Sequence, residues 1–167
     1  MKETDFYKKL ILQGESEQVE FKLKIFNEIV IAKTLTAFAN SNGGYLIIGV
    51  ADNGEIIGLQ QSECESLTHR IENICSSLFS YPYKIQTIYI ENKCVLIIEI
   101  KQAPAHLKPI TTGNGDVYVR RNDKIIKQKN NIIKFSEFNS KTLKTRKIRI
   151  HSYVIQRRGG TSINRLL

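Results

Sequence analysis

The residues best suited to chemistry lie in the first third of the chain. Glu15 and Glu20 stand five apart in GESEQVEFK, Lys22 follows Glu20 by two, and Asp52 lies in GVADNG. Carboxylates are hard oxygen donors, so Glu15, Glu20 and Asp52 together would suit Mg²⁺ or Mn²⁺. Such an ion polarises a phosphodiester and helps generate a hydroxide nucleophile, while Lys22 would offset developing negative charge. A plainer meaning is also available. Glu20, Lys22 and Lys24 alternate with Val19, Phe21 and Leu23, as on the solvated face of an edge strand. Asp52, just before Asn53-Gly54, suits a turn. The residues alone leave both readings open.

The period-two alternation at residues 19–24 predicts a strand that projects Glu20 and Lys22 from one face. From Asn27 the period changes. Ile31, Leu35 and Phe38 form a helical stripe, with Asn27 as N-cap and Asn42-Gly43-Gly44 as the stop. YLIIGV is apolar on both alternating faces and predicts a central strand, with Gly49 marking a close backbone approach. Asp52-Asn53-Gly54 then turns the chain into EIIGL, read as a further strand. For Asp52 to join Glu15 and Glu20, the first strand and the central one must be neighbours.

The rest of the chain supplies the frame. A short helix is expected over residues 5–13. A capping box at Ser62–Glu65 precedes a second long stripe, Leu67, Ile71, Ile74 and Leu78. Residues 84–90 and 93–101 read as two strands joined at Glu91-Asn92. A short strand is expected near Ile110 and a last one at DVYVRR. Ile132, Ile133, Phe135 and Phe138 suggest a closing helix or packed turn. The order predicts an α/β protein of the α+β type, a mixed β-sheet with two principal helices. No strand runs into GxGxxG or GxxxxGK[ST], so a phosphate-cradling nucleotide loop is not expected.

The formal net charge is +9 over 167 residues, with 25 basic and 16 acidic side chains. Eight of the basic residues lie beyond position 140, where no acid occurs, so residues 1–140 carry 17 basic against 16 acidic groups. The core domain is thus expected at 1–140 and a basic tail or arm at 141–167. Lys144, Arg146 and Lys147 in the tail, with Lys24, Lys108, Arg120 and Arg121 in the domain, are candidate phosphate contacts. No apolar run approaches the roughly 18 residues of a membrane span, and the N-terminus lacks a signal-like apolar stretch. Cys64, Cys75 and Cys94 are widely spaced and read as reduced core thiols. A cytoplasmic protein without membrane contact is expected.

GESEQVEFK, then AFANSNGGYLIIGVADNGEIIGL, then KPI and DVYVRR, together resemble the Schlafen AlbA_2 domain over residues 14–121. The resemblance implies a single AlbA_2-like lobe that binds RNA or DNA, serving regulation or defence. In Schlafen proteins a doubled lobe forms an RNA-cleaving core with three acids, whose motif positions fall here on Glu15, Glu20 and Asp52. A metal-dependent endoribonuclease acting on tRNA- or rRNA-like substrates is therefore the alternative. The neighbouring acid of the family's G-V-D-D pattern is Ala51 here. No Cys/His cluster matches the structural zinc of Schlafen cores, so none is expected. One lobe in place of two implies a homodimer. The ATP-related names in the family leave a third reading, a nucleotide-binding or structural assembly domain, although ATP itself is not expected without a phosphate loop.

Overall fold

The computed structural model describes residues 3–25 and 27–128. The chain divides into units Met1–Asn130 and Asn131–Leu167, and every described residue lies in the first. The tail expected at 141–167 and the closing element expected at 132–138 lie outside the described residues.

In chain order the elements are α1 (Glu3–Gln13), β1 (Val19–Lys22), α2 (Glu28–Asn40), β2 (Gly44–Ile48), α3 (Gln61–Leu78), β3 (Tyr83–Ile90) and β4 (Lys93–Ile100). A 3₁₀ turn (Ala105–Leu107) then leads to β5 (Val117–Arg121) and β6 (Lys124–Gln128). The first four strands form one sheet in the order β1-β2-β4-β3, with β1 parallel to β2 and the remaining pairs antiparallel. β5 and β6 make a separate antiparallel hairpin. The α+β class and the mixed sheet are as the sequence predicts.

The sheet is covered on both faces. On one, Leu35 and Phe38 of α2 and Ile71 and Cys75 of α3 pack on Leu46, Ile48, Leu96 and Ile98. On the other, Tyr7 and Ile11 of α1 pack on Phe21, Ile47, Val95 and Ile97. The two inner strands are therefore apolar at every position that meets a helix, which explains the runs YLII and CVLII. Each fully buried aliphatic or phenyl side chain contributes about 1.5–3 kcal/mol. This packing, more than local propensity, holds α2 and α3 in place.

Local signals set the joints. Asn27 caps α2, its Oδ1 accepting the Ile29 N–H at 2.8 Å. Gly49 has φ of 100°, and a Cβ there would lie 3.2 Å from the Cys94 carbonyl oxygen and 3.3 Å from Gly58 Cα. A side chain there would press on backbone atoms from a conformation that L residues rarely adopt, so the close approach read from the sequence is present. Glu91 and Asn92 turn β3 into β4 with φ of 53° and 62°.

Four expectations change. The capping contact of α3 runs from the Gln60 N–H to Glu63 Oε2 at 3.1 Å, two residues ahead of Ser62–Glu65, because the helix begins at Gln61. EIIGL is not a ladder strand: its pairings are isolated bridges, Val50↔Ile56 and Leu59↔Cys94. Near Ile110 only the bridge Thr111↔Val117 forms, and DVYVRR is not last, because Asn122-Asp123 turns the chain into β6.

Candidate nucleic-acid interface

β1 is an edge strand, and its motif residues close that edge. Gly49 donates to the Lys22 carbonyl and Tyr45 to the Gln18 carbonyl, so even-numbered residues of β1 direct their backbone groups to β2. Val19 and Phe21 must then present theirs outward. The Phe21 N–H donates to Glu15 Oε1 at 2.8 Å, and the Phe21 carbonyl accepts from Lys22 Nζ at 2.8 Å. The Val19 carbonyl accepts from the Ser16 N–H at 3.0 Å. Glu15 and Lys22 thus occupy backbone groups that another strand would otherwise use.

Glu20 and Arg120 form the second layer. Arg120 is inside the molecule, its guanidinium edge-on to nothing but protein: Nη1 donates to Glu20 Oε2 at 2.5 Å, Nη2 to the Ser16 carbonyl at 2.6 Å and Nε to the Glu17 carbonyl at 3.2 Å. Its guanidinium carbon lies 5.0 Å from the centre of the Phe38 ring, a cation–π contact. Lys22 Nζ donates to the other Glu20 oxygen at 2.7 Å. The side chain of Arg120 has no exposed surface. The expectation that Arg120 contacts phosphate is overturned, because its donors are spent on fastening β5 to β1 and the loop before it.

The acids do not form the expected metal centre. Glu20 has a cation on each oxygen, and Glu15 gives Oε1 to a backbone N–H. Glu20 pairs in register with Leu46, whereas Asp52 lies beyond the end of β2 in an exposed turn. Among the described residues no three Asp, Glu, His or Cys side chains gather as a group able to hold a metal ion. Glu15, Glu20 and Asp52 as placed therefore do not fit Mg²⁺ or Mn²⁺, and Lys22 serves Glu20 and the strand edge. Strand adjacency alone did not bring Asp52 to the other two acids.

The remaining cations separate into paired and free. Lys108, half-buried, donates to the Asn40 carbonyl at the end of α2 at 2.9 Å, where a positive charge also suits the helix dipole. Lys24 is exposed and lies 4.0 Å from Glu63. Lys127 bonds Asp116 at 2.7 Å and holds that carboxyl below its ordinary value, so this charge is met internally. Arg121 and Lys124 differ. They face one another across the β5–β6 ladder, both exposed, and neither meets an acid among the described residues. Lys124 was missed in the sequence because KIIKQ lacks period-two alternation; Asn122-Asp123 between two short runs was the available signal. Lys144, Arg146 and Lys147 lie outside the described residues.

Among the described residues no helix is long and apolar enough to cross a membrane. A solved domain from Nitrosomonas europaea has a similar fold. It is the N-terminal domain of a protein named as RecG-related and as a candidate ATP-dependent DNA helicase, with TM-score 0.52 and 24% identity, covering 72% of this chain and 89% of that one. A crystal structure from Corynebacterium diphtheriae gives TM-score 0.50 at 22% identity, over 67% of this chain and 25% of that one. In sequence, a protein of Ureaplasma parvum serovar 3 named as an uncharacterized ATP-binding protein is 34% identical over an alignment of 134 residues that covers 64% of this chain and 37% of the relative. The chain thus spans little more than a third of that curated relative. A model of the family described as Schlafen, AlbA_2 matches residues 15–129, from the edge-closing Glu15 to the end of the β5–β6 hairpin. With most of its length matched, this chain belongs to the Schlafen AlbA_2 family.

Proposed function

We propose that this domain binds nucleic acid through its phosphates, at the tip of the β5–β6 hairpin. The observation that carries the reading is the Arg121–Lys124 pair. Like charges directly opposite on a ladder destabilise it, and here two exposed cations keep that arrangement without an ion pair to either among the described residues. An anion bridging them removes the repulsion. Arg supplies a planar fork matched to phosphate oxygens and Lys a point charge, which together position a backbone without reading bases. The buried Arg120–Glu20 contact anchors the neighbouring residue, so the tip meets a ligand from a fixed base.

Eight further basic residues follow position 140, and each added cation strengthens the electrostatic term of phosphate binding. The name of the Nitrosomonas relative points to a DNA-related protein and that of the Ureaplasma relative to ATP. Both ligands carry phosphate. Binding takes precedence over cutting here because the two acids of β1 and its approach are already engaged with cations and backbone.

The test is anisotropy of labelled RNA and DNA oligonucleotides against the full chain across a salt series. Reversing both charges (Arg121→Glu with Lys124→Glu) is expected to weaken binding at least about tenfold and to reduce the salt slope by about two. Unchanged affinity and slope would reject the site. Displacement of the oligonucleotide by ATP at equal phosphate concentration would instead favour the nucleotide reading.

A further inference from the structure

The opposite edge of the sheet has none of the closures found on β1. The Leu59 N–H donates to the Cys94 carbonyl, so Cys94 directs its backbone groups toward β2 and away from β3. Cys94 is in register with Tyr89. Tyr89 therefore sits at a non-bonded position of the β3–β4 ladder, and its N–H and C=O point out of the sheet, as do those of Thr87 and Ile85. Among the described residues none of these six groups has a hydrogen-bond partner. Thr87 and Tyr89 are exposed. The usual guards are missing, since β3 contains neither proline nor a bulge. Its one charged residue, Lys84, is bound to Glu3 of α1 at 2.6 Å and stands near one end of the strand.

We propose that β3 pairs with β3 of a second copy, antiparallel about a two-fold axis at Thr87. The strand is suited to itself in that register. Thr87 meets Thr87, and Ile85 meets Tyr89 of the second copy twice over, an aromatic–β-branched pairing of the kind that stabilises ladders. Lys84 falls opposite Ile90 and Gln86 opposite Ile88, so no like charges meet. The three outward residues place both N–H and C=O in bonds across the axis. The contact is isologous and closed, so it ends at a dimer and leaves the β1 edges at the outside. This inference is independent of nucleic-acid binding, which is assigned to the other side of the sheet order.

Sedimentation of the full chain over a concentration series provides the test, with Thr87→Lys and Thr87→Glu made separately. Either substitution sets two like charges against each other on the axis. Wild type is expected to reach twice its 19.1 kDa mass, and each variant to need at least about tenfold more protein to do so. Mixing the two variants is expected to restore the dimer, because Lys then faces Glu; recovery also shows that both are folded. A wild-type monomer at all concentrations overturns the proposal, as does a dimer that both variants leave intact or a mixture that stays monomeric. Amide exchange gives an arm free of substitutions: the Ile85, Thr87 and Tyr89 amides should slow as concentration rises. Exchange independent of concentration counts equally against it.

Discussion

β1 and β3 bound the same sheet, yet they treat their outer backbone groups in opposite ways. Along β1, Glu15, Ser16, Lys22 and Arg120 occupy the outward positions of Val19 and Phe21. Along β3, Ile85, Thr87 and Tyr89 have none occupied among the described residues. The difference shows that polar residues in a signature stretch can be there to prevent a contact. It also separates two uses of charge. On β1 the charges are consumed inside the protein, whereas at the β5–β6 tip Arg121 and Lys124 stay exposed and meet no acid among the described residues.

The largest effect is expected from Arg120→Ala. It leaves Glu20 buried with one cation and frees the hairpin, at a cost of about 3–5 kcal/mol in denaturant unfolding. A loss well below 1 kcal/mol would mean that β1 is closed by its local plugs alone. Next comes Glu15→Ala, which uncovers the Phe21 N–H and should cost about 1 kcal/mol. Its sharper readout is self-association: with β1 opened, the protein should form species larger than a dimer by light scattering, since both edges can then pair. A variant no more associated than wild type would show that Ser16 and Lys22 suffice.

Smallest is the Glu3–Lys84 ion pair beside β3, which is exposed and closes nothing. The hydrogen bond from Lys84 lowers the Glu3 carboxyl below its ordinary 4.5. The same bond to Glu3 raises Lys84 above 10.5. A depressed carboxyl stabilises above its unfolded value and loses that contribution as pH falls through the folded one; a raised ammonium loses its share as pH rises through its own. The pair therefore contributes between those limits. Lys84→Ala should flatten the acid limb of the stability curve below about pH 4.5 while leaving the midpoint at neutral pH nearly unchanged. A clear neutral-pH shift would show that β3 depends on its charge as β1 does.

Much of the frame was legible in the residues. The apolar stripe of α2, its Asn27 cap, the two-faced β2 and the Glu91-Asn92 turn each rest on neighbours a few positions away, which a sequence displays directly. β6 was hidden because Ile125 and Ile126 are adjacent, breaking the alternation. The fate of Arg120 was hidden for another reason: a cation next to a second cation reads as surface, and nothing nearby indicates that Glu20 will meet it. Glu20 and Lys22 do share a face, as alternation predicts. Asp52 does not join them, because strand adjacency says which strands touch but not where along them a side chain will sit.

Arg120 and Glu20 are separated by 100 residues, whereas Glu15 and Lys22 act within six residues of Phe21. At synthesis rates of about 5–20 residues per second, Glu20 precedes its partner by roughly 5–20 s. For that interval β1 exists without its latch, and closure must also overcome the entropy of a long loop. The nearby plugs need no such wait. They can cover the strand as soon as it leaves the ribosome, so the edge is guarded first by short-range contacts and fastened last by Arg120.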